Sequence, residues 1–411
     1  MMSTISLALL VLAAGGFALL AVQLAALVEH MRQPVPKLAH SAPISILKPL
    51  CGLDDNLAAN LESFASLAYP TYEVLLGVKD TRDLAYPLAR SMATRYPGLM
   101  RLVLQQGEPG LNPKVNQLMT LAAAARYDTL VVSDSNVRVA PSYLAEIAAH
   151  LADPEVGLVT HPVVGTGGQR MGSVMDNLHM TGTVAAGVVG AKRVAGQDIV
   201  VGKSMALRRR DLARLGGFRR MRDLLAEDYV LGRLVRAELG KRIVIGRLPV
   251  ENVTCQASVR DFLRRYRRWS VMHRKAVGPL VYAGEVLLNP VLLAGAALAV
   301  APSMQGLYGF GLAGLLRVAY EEAAARTLGR PRFRLRELLA APAKDVVMGA
   351  AWLHGWLHDT VEWRSNRLRV LPGTRLLRPT HPQPRKRARA ARPDYAPRWA
   401  QPAPPGAASL R

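Results

Sequence analysis

Residues 5–28 carry no charged side chain. An uninterrupted apolar run of that length can cross a bilayer as a single helix, which takes roughly 20 residues. Kept as an anchor, it would place everything downstream beside a membrane. A cleaved signal peptide would show a basic leading region and a shorter apolar core, and neither is present. Residues 1–30 are read as a retained anchor. Arg32 and Lys37 follow it, whereas residues 1–6 hold no charged side chain. The positive-inside rule then puts the body of the chain in the cytoplasm.

The remaining composition is uneven. Lys and Arg number 53 against 30 Asp and Glu, a net charge of +23, yet half the residues are apolar. Such hydrophobicity excludes a wholly disordered chain. The length of 411 residues suggests more than one structural unit. Only Cys51 and Cys255 occur, which excludes a disulfide scaffold or a cysteine zinc site. Apolar runs at 286–314, broken by Pro290 and Pro302, and at 346–357, with His354 and His358, suggest two to four membrane helices within 281–362. The last run is short enough to be re-entrant, interfacial or simply buried. Residues 364–411 hold 12 Lys and Arg against Asp394 alone, and read as a basic disordered tail. Behind membrane helices, anionic lipid headgroups are a better partner for it than nucleic acid.

Between these segments short β-rich runs alternate with helical ones. Strands are expected at 44–47, 73–78, 102–104, 129–133 and 156–160, with a further one within 199–209. Helices are expected at 57–67, 84–95, 115–125, 141–151, 228–239 and 259–275. The alternation predicts a mostly parallel sheet covered on both faces, with ligands bound beyond the carboxyl ends of its strands.

Two of the expected strands run directly into acids, at Asp80 and at Asp134-Ser135-Asn136. A carboxylate followed two residues later by another oxygen donor suits a hard cation, Mg²⁺ or Mn²⁺, so Asp134 and Asn136 are candidate metal ligands. Taken singly, each acid reads more simply as a turn or cap residue. Asn112-Pro113-Lys114-Val115-Asn116 would place Lys114 and free backbone N–H groups at a helix start, a ready anion site, or merely an ordinary Pro-initiated helix. Glu227-Asp228 opens a helix. An acid there suits a general base, or simply complements the helix dipole. In 259–278, Phe262, Tyr266, Trp269 and His273 recur at helical spacing among Arg264, Arg265, Arg267, Arg268, Arg274 and Lys275. Such a helix can lie in a membrane interface or clamp phosphate.

In order, Asp80, Asp134, Glu227-Asp228 and Arg265-Tyr-Arg-Arg268-Trp269 resemble the D, D, D, (Q/R)xxRW signature of the family 2-type inverting glycosyltransferases. Ile44-Ser-Ile-Leu-Lys-Pro-Leu50, Asn112-Pro-Lys114 with Asn116, Asp134-Ser-Asn-Val-Arg-Val139 and Ala226-Glu-Asp-Tyr229 are similar to the ceramide glucosyltransferase branch, family 21. The resemblance covers roughly residues 44–275 and the apolar flanks. It implies an α/β fold of GT-A type over residues 40–258, a nucleotide-sugar-binding, Rossmann-like mixed sheet flanked by N-terminal and C-terminal transmembrane helices.

The resemblance also implies roles. Asp80, Lys114, Asn116 and Asp134 would bind the nucleotide-sugar, and Asp134 with Asn136 the Mg²⁺ or Mn²⁺. Asp228 would be the catalytic base. Glu227, Arg265, Arg268 and Trp269 would serve the acceptor and the leaving diphosphate. Where many relatives carry D-x-D, this chain has Asn136, which brings no charge and weakens the case for a metal. The expected activity moves glucose from a UDP-sugar to the primary hydroxyl of a ceramide-like lipid. The expected location is a multi-pass protein in a bacterial cytoplasmic membrane, since the chain is rich in Arg, Ala and Leu. Three rivals remain. Hopanoid or other lipid glycosyltransferases using UDP-N-acetylglucosamine share these motifs. A processive polysaccharide synthase would need a larger helix bundle than this length allows. A non-catalytic basic protein binding membrane or nucleic acid would leave the ordered acids accidental.

Overall fold

The computed structural model describes residues 3–363 and 366–378. Helix α1 (Thr4–Arg32) begins at Ser3, whose side chain caps it by accepting the Ser6 N–H. Among the described residues it is the one helix long and apolar enough to cross a membrane by itself.

The chain then alternates as β1 (Ile44–Pro49), α2 (Leu57–Ala65), β2 (Tyr72–Val78), α3 (Tyr86–Arg95), β3 (Met100–Leu104), α4 (Pro113–Ala124) and β4 (Thr129–Val132). Next come β5 (Val137–Arg138), α5 (Tyr143–Leu151), β6 (Val156–Thr160), β7 (Val163–Thr166) and α6 (Met171–Leu178). Helix α6 widens into a π-helical stretch, His179–Ala185, and resumes as α7 (Ala186–Ala195). After it follow β8 (Met205–Arg208), α8 (Arg209–Arg214), α9 (Glu227–Leu239), β9 (Arg242–Ile245), β10 (Val250–Val253) and α10 (Val259–Val277).

The central sheet has the order β3-β2-β1-β4-β8-β6-β9. Strand β8 runs antiparallel to both its neighbours, and every other pairing in this sheet is parallel. The two-residue period of a strand sends alternate side chains to opposite faces. Ile44, Ile46, Val74, Leu76 and Val131 enter one core, while Leu47, Leu75, Leu130 and Val132 enter the other. Both faces are thus covered by helices, as the alternation of strands and helices predicts, and the strands are accordingly apolar on both sides. A second, small sheet, β5-β10-β7, lies at the edge where the parallel strands end.

The C-terminal third differs from expectation. Its helices are α11 (Pro279–Gly284), α12 (Pro290–Val300), α13 (Met304–Thr327), α14 (Leu335–Leu338) and α15 (Ala340–Leu357). Asn289 and Pro290 break the first apolar run, so that the stretch Pro279–Leu288 meets α12 at 82°. Helix α13 carries Arg317 and Glu321, buried against Lys344 and Asp345 of α15 with ion-pair distances of 2.8–3.0 Å. By length and composition no described helix in 281–362 crosses a membrane alone, and the bent pair counts at most as one broken span.

These helices hold α1. Gly16 lets α1 approach closely: a Cβ there would stand 2.1 Å from the Leu287 carbonyl oxygen. The Ser6 hydroxyl donates to the Ala297 carbonyl at 3.0 Å. Ile5, Leu7, Val11 and Leu12 on α1 and Leu312 and Leu315 on α13 remain exposed.

The expected tail is also corrected in part. Residues 366–378 form β12 (Asn366–Val370) and β13 (Leu376–Leu377), which extend β11 (Thr360–Trp363) into an antiparallel sheet. The cause is a short alternation that the basic count concealed. Leu368 and Val370 point inward to Leu225 and Val271, while Arg367 and Arg369 point out. Residues 364–365 and 379–411 lie outside the described residues.

Candidate active site

Val132 of β4 lies opposite Met205 of β8 in the antiparallel pair. Where β4 leaves the sheet, β8 enters it. Asp134, two residues past Val132, therefore meets Lys203, two residues before Met205. The Lys203 ammonium stands 3.1 Å from Asp134 Oδ2 and donates to Asn136 Oδ1 at 2.7 Å.

Helix α4 presents Lys114 from the other side. Asn112 caps it by accepting the N–H groups of Lys114 and Val115, and Pro113 occupies the first helical position. The Lys114 ammonium stands 2.9 Å from Asp134 Oδ1 and 2.9 Å from Glu227 Oε1. The amide of the same cap, Asn112, donates to Glu227 Oε2 at 3.1 Å and to the Leu224 carbonyl at 2.7 Å, so the starts of α4 and α9 are tied together.

Asp228 Oδ2 accepts the Gly202 N–H at 2.6 Å, and Oδ1 accepts the Tyr229 N–H at 2.8 Å. A Cβ on Gly202 would stand 2.8 Å from Lys114 Nζ and 2.9 Å from Asp228 Oδ2, so a side chain there would push the two charged groups aside. Beneath the group, fully buried Lys48 of β1 donates to the Asp134 backbone carbonyl at 2.6 Å, with its ammonium 3.8 Å from the Phe64 ring centroid.

The electrostatics follow from this crowding. Burial, aided by the charge of Glu227, raises the Asp228 carboxyl to about 6, against the pull of Lys114. Burial opposes ionisation of Asp134, but Lys114 and Lys203 outweigh it and hold the carboxyl well below its usual range. Burial likewise opposes the Lys114 charge, and Asp134, Glu227 and Asp228 together hold its ammonium well above the usual value. Lys48 is lowered to about 7 by burial, against the pull of Asp134.

A polar chain leads from this group to α10. Asn136 Nδ2 donates to Asn252 Oδ1 at 2.9 Å, and the Asn252 amide lies 3.4 Å from Asp176 Oδ2. Buried Asp176 also accepts Thr254 Oγ1 at 3.0 Å, Arg265 Nη1 at 2.7 Å and Tyr266 Oη at 2.9 Å. Trp269 packs edge-on to Tyr266, with ring centroids 5.4 Å apart, and Arg268 lies over the Trp363 ring.

Of the residues singled out in the sequence, Lys114 meets Asp134 and Glu227 directly, Asn136 joins Asp134 through Lys203, and Asp228 stands beside them on the Gly202 N–H. Arg265 joins them through Asp176. Asp80 stands apart: it accepts the Arg82 N–H at 2.8 Å and pairs with the Arg82 guanidinium at 3.2 Å. Asn116 is buried and turned to its own loop, bonding both the N–H and the carbonyl of Gly110. Lys48, Lys203, Asp176 and Asn252 were not identified. A lysine inside an apolar strand and an acid inside an apolar helix were the available signals for Lys48 and Asp176.

The fit to a divalent cation is poor. No group of three His, Cys, Asp or Glu side chains that could hold a metal occurs among the described residues. The expected donors, Asp134 and Asn136, offer one carboxylate and one amide oxygen, and all three oxygens face ammonium groups.

Residues 8–376 match glycosyl transferase family 21. The chain is 26% identical over 357 residues to ceramide glucosyltransferase 1 of Caenorhabditis elegans, covering 85% of this chain and 75% of that one. Ceramide glucosyltransferase 3 of the same organism is 26% identical over 347 residues, with 82% and 74% covered. Among solved structures, the mannosyltransferase PcManGT from Pyrobaculum calidifontis, described in complex with GDP-Man and Mn²⁺, superposes with a TM-score of 0.52 at 20% identity, covering 85% of this chain and 99% of that one. That likeness establishes the mixed α/β glycosyltransferase fold. With the family match spanning most of its length, the chain belongs to glycosyl transferase family 21 and is a glycosyltransferase.

Proposed function

We propose that this enzyme is membrane-anchored and moves a sugar, glucose, from a UDP-sugar to the primary hydroxyl of a ceramide-like lipid with inversion at the anomeric carbon. The observation that carries the reading is the meeting of Lys114, Asp134, Glu227 and Asp228 where the parallel strands of the sheet end. The ceramide glucosyltransferase relatives support the lipid acceptor and the glucosyl donor. A nucleoside diphosphate there meets the Lys114 ammonium at the start of α4, whose first N–H groups are taken up by the Asn112 cap.

Asp228 is the base. Its carboxylate, poised near 6, is ionised at neutral pH and basic enough to take the acceptor's hydroxyl proton. The hydroxyl oxygen then bonds to the anomeric carbon from the face opposite the diphosphate. The bond from that carbon to the diphosphate oxygen breaks, and its electron pair leaves with UDP. Asp80 binds the uridine end, and Arg265, Arg268 and Trp269 frame the acceptor and the leaving group.

Helix α1 is the anchor, and the flanking Arg32 and Lys37 orient the domain to the cytoplasmic face of a bacterial membrane. The exposed apolar residues of α1 and α13 and the broken pair ending in α12 support contact with lipid, including a multi-pass arrangement. The neighbour described with Mn²⁺ is general support for a divalent ion in sites of this fold. The donors here do not assemble around one, so no step is routed through it. A lipid alcohol other than ceramide, with UDP-N-acetylglucosamine as donor, is the main alternative chemistry.

The test is Asp228→Asn in membranes supplied with labelled UDP-sugars and a panel of lipid alcohols. Transfer is expected to fall by about 10²–10⁴-fold with UDP binding retained. Full activity in the variant would remove Asp228 from the role.

A further inference from the structure

We propose that Lys203 and Lys114 form an ammonium pair that supplies the positive charge for the donor's diphosphate, so that donor binding requires no divalent cation. The inference rests on the nucleotide-sugar reading of the site. It concerns a residue, Lys203, that neither the motif nor the family resemblance brings in.

Both carboxylate oxygens of Asp134 are engaged, Oδ1 by Lys114 at 2.9 Å and Oδ2 by Lys203 at 3.1 Å. The other donor of the Asp-Ser-Asn turn, Asn136 Oδ1, accepts from Lys203 at 2.7 Å. Lys203 thus bridges the two residues that would hold a cation, and stands where that cation would. Mg²⁺ asks for a near-octahedral shell of oxygens at roughly 2.0–2.1 Å. Here it would have to displace an ammonium from two partners and then sit beside another. The two ammoniums already carry the charge of one divalent ion.

Both lysines are held for this task. Their side chains are only 12% and 13% exposed, and they rise from the first turn of α4 and the turn that leads into β8. Gly202, without a side chain, leaves the space through which Lys114 reaches Asp134 and Glu227. The back of the Asp134 turn is closed by Lys48, which holds its backbone carbonyl. A diphosphate entering from the open side would share the two ammoniums with Asp134, each a charge-assisted contact stronger than a neutral one.

The experiment is calorimetric titration of UDP into the full detergent-solubilised chain, in excess EDTA and then with Mn²⁺ or Mg²⁺. The wild type is expected to bind UDP in EDTA, with metal changing the affinity by less than about threefold. K203Q should weaken binding in EDTA by about tenfold or more, and Mn²⁺ should recover part of the loss, because Asp134 Oδ2 and Asn136 Oδ1 are then free to ligate. K203R, which keeps the charge, should bind in EDTA and serves as the folding control. Wild-type binding that vanishes in EDTA and returns with Mn²⁺ overturns the ammonium pair while leaving the nucleotide-sugar reading intact. UDP affinity unchanged in K203Q overturns it as well. Absence of UDP binding under every condition strikes down the nucleotide-sugar reading itself, and the pair with it.

Discussion

Asp228 ties the site's charge to its chemistry. Its conjugate acid lies near 6 because burial and Glu227 both disfavour the carboxylate. As the proposed base, Asp228 must be deprotonated to act, so kcat/KM for the donor should fall about tenfold per pH unit below that value. Replacing Glu227 with Gln removes one of the two raising causes, and the acidic limb should move to lower pH. A pH–rate profile of E227Q with its limb unmoved would mean that Glu227 does not set the basicity of Asp228. At this scale the sequence showed the acids and Lys114 but not their partners. Lys203 faces Asp134 only because β8 is reversed between two parallel strands. No local signal reports that pairing across some 70 residues.

Among the elements, α10 was legible from its aromatic–arginine spacing, and the structure adds a capping box of Ser258 and Asp261 at its start. What the spacing could not show is that Arg265 and Tyr266 converge on Asp176, an acid inside an apolar helix. Asp176→Asn should leave the Arg265 guanidinium short of its counter-charge and lower the melting temperature, by up to about 3 kcal/mol of stability. The double variant D176N/R265M should recover part of that loss, because the unpaired charge is gone. A double variant less stable than D176N would show that packing rather than charge sets the cost. The strand expected within 199–209 is real only as Met205–Arg208. The residues just before it leave the sheet to wall the site, which an apolar pattern does not distinguish from strand.

Across the whole molecule, the parallel sheet with both faces covered was readable from alternating strands and helices, because that alternation admits few other packings. The C-terminal third was less so. Its apolar runs were expected to be membrane spans, and none of its described helices passes as one alone; Pro290 bends the first run beside α1, and the buried pairing of Arg317 and Glu321 with Lys344 and Asp345 ties α13 to α15. The chain then returns to the catalytic domain. The Leu225 N–H donates to the Thr374 carbonyl at 2.9 Å, and the Leu376 N–H to the Asp223 carbonyl at 2.7 Å, bracing the loop that ends at Glu227-Asp228. A charge at Leu376, buried with Leu225 and Val271, should detach this brace. L376D is expected to lose transfer activity yet fractionate with membranes as before. Full activity would make the C-terminal sheet dispensable to the site.

The bond from Ser6 to Ala297 joins residues 291 apart in the chain. At roughly 5–20 residues per second, a ribosome needs on the order of 15–60 s to make the second partner after the first. Through that interval α1 can pack on α7, as Leu20 and Leu27 do with Ala186 and Val189, but its Ser6 hydroxyl has no Ala297 carbonyl to meet. The α12 side of α1 is thus closed only after the α/β domain has been made, and Leu376 joins that domain later still.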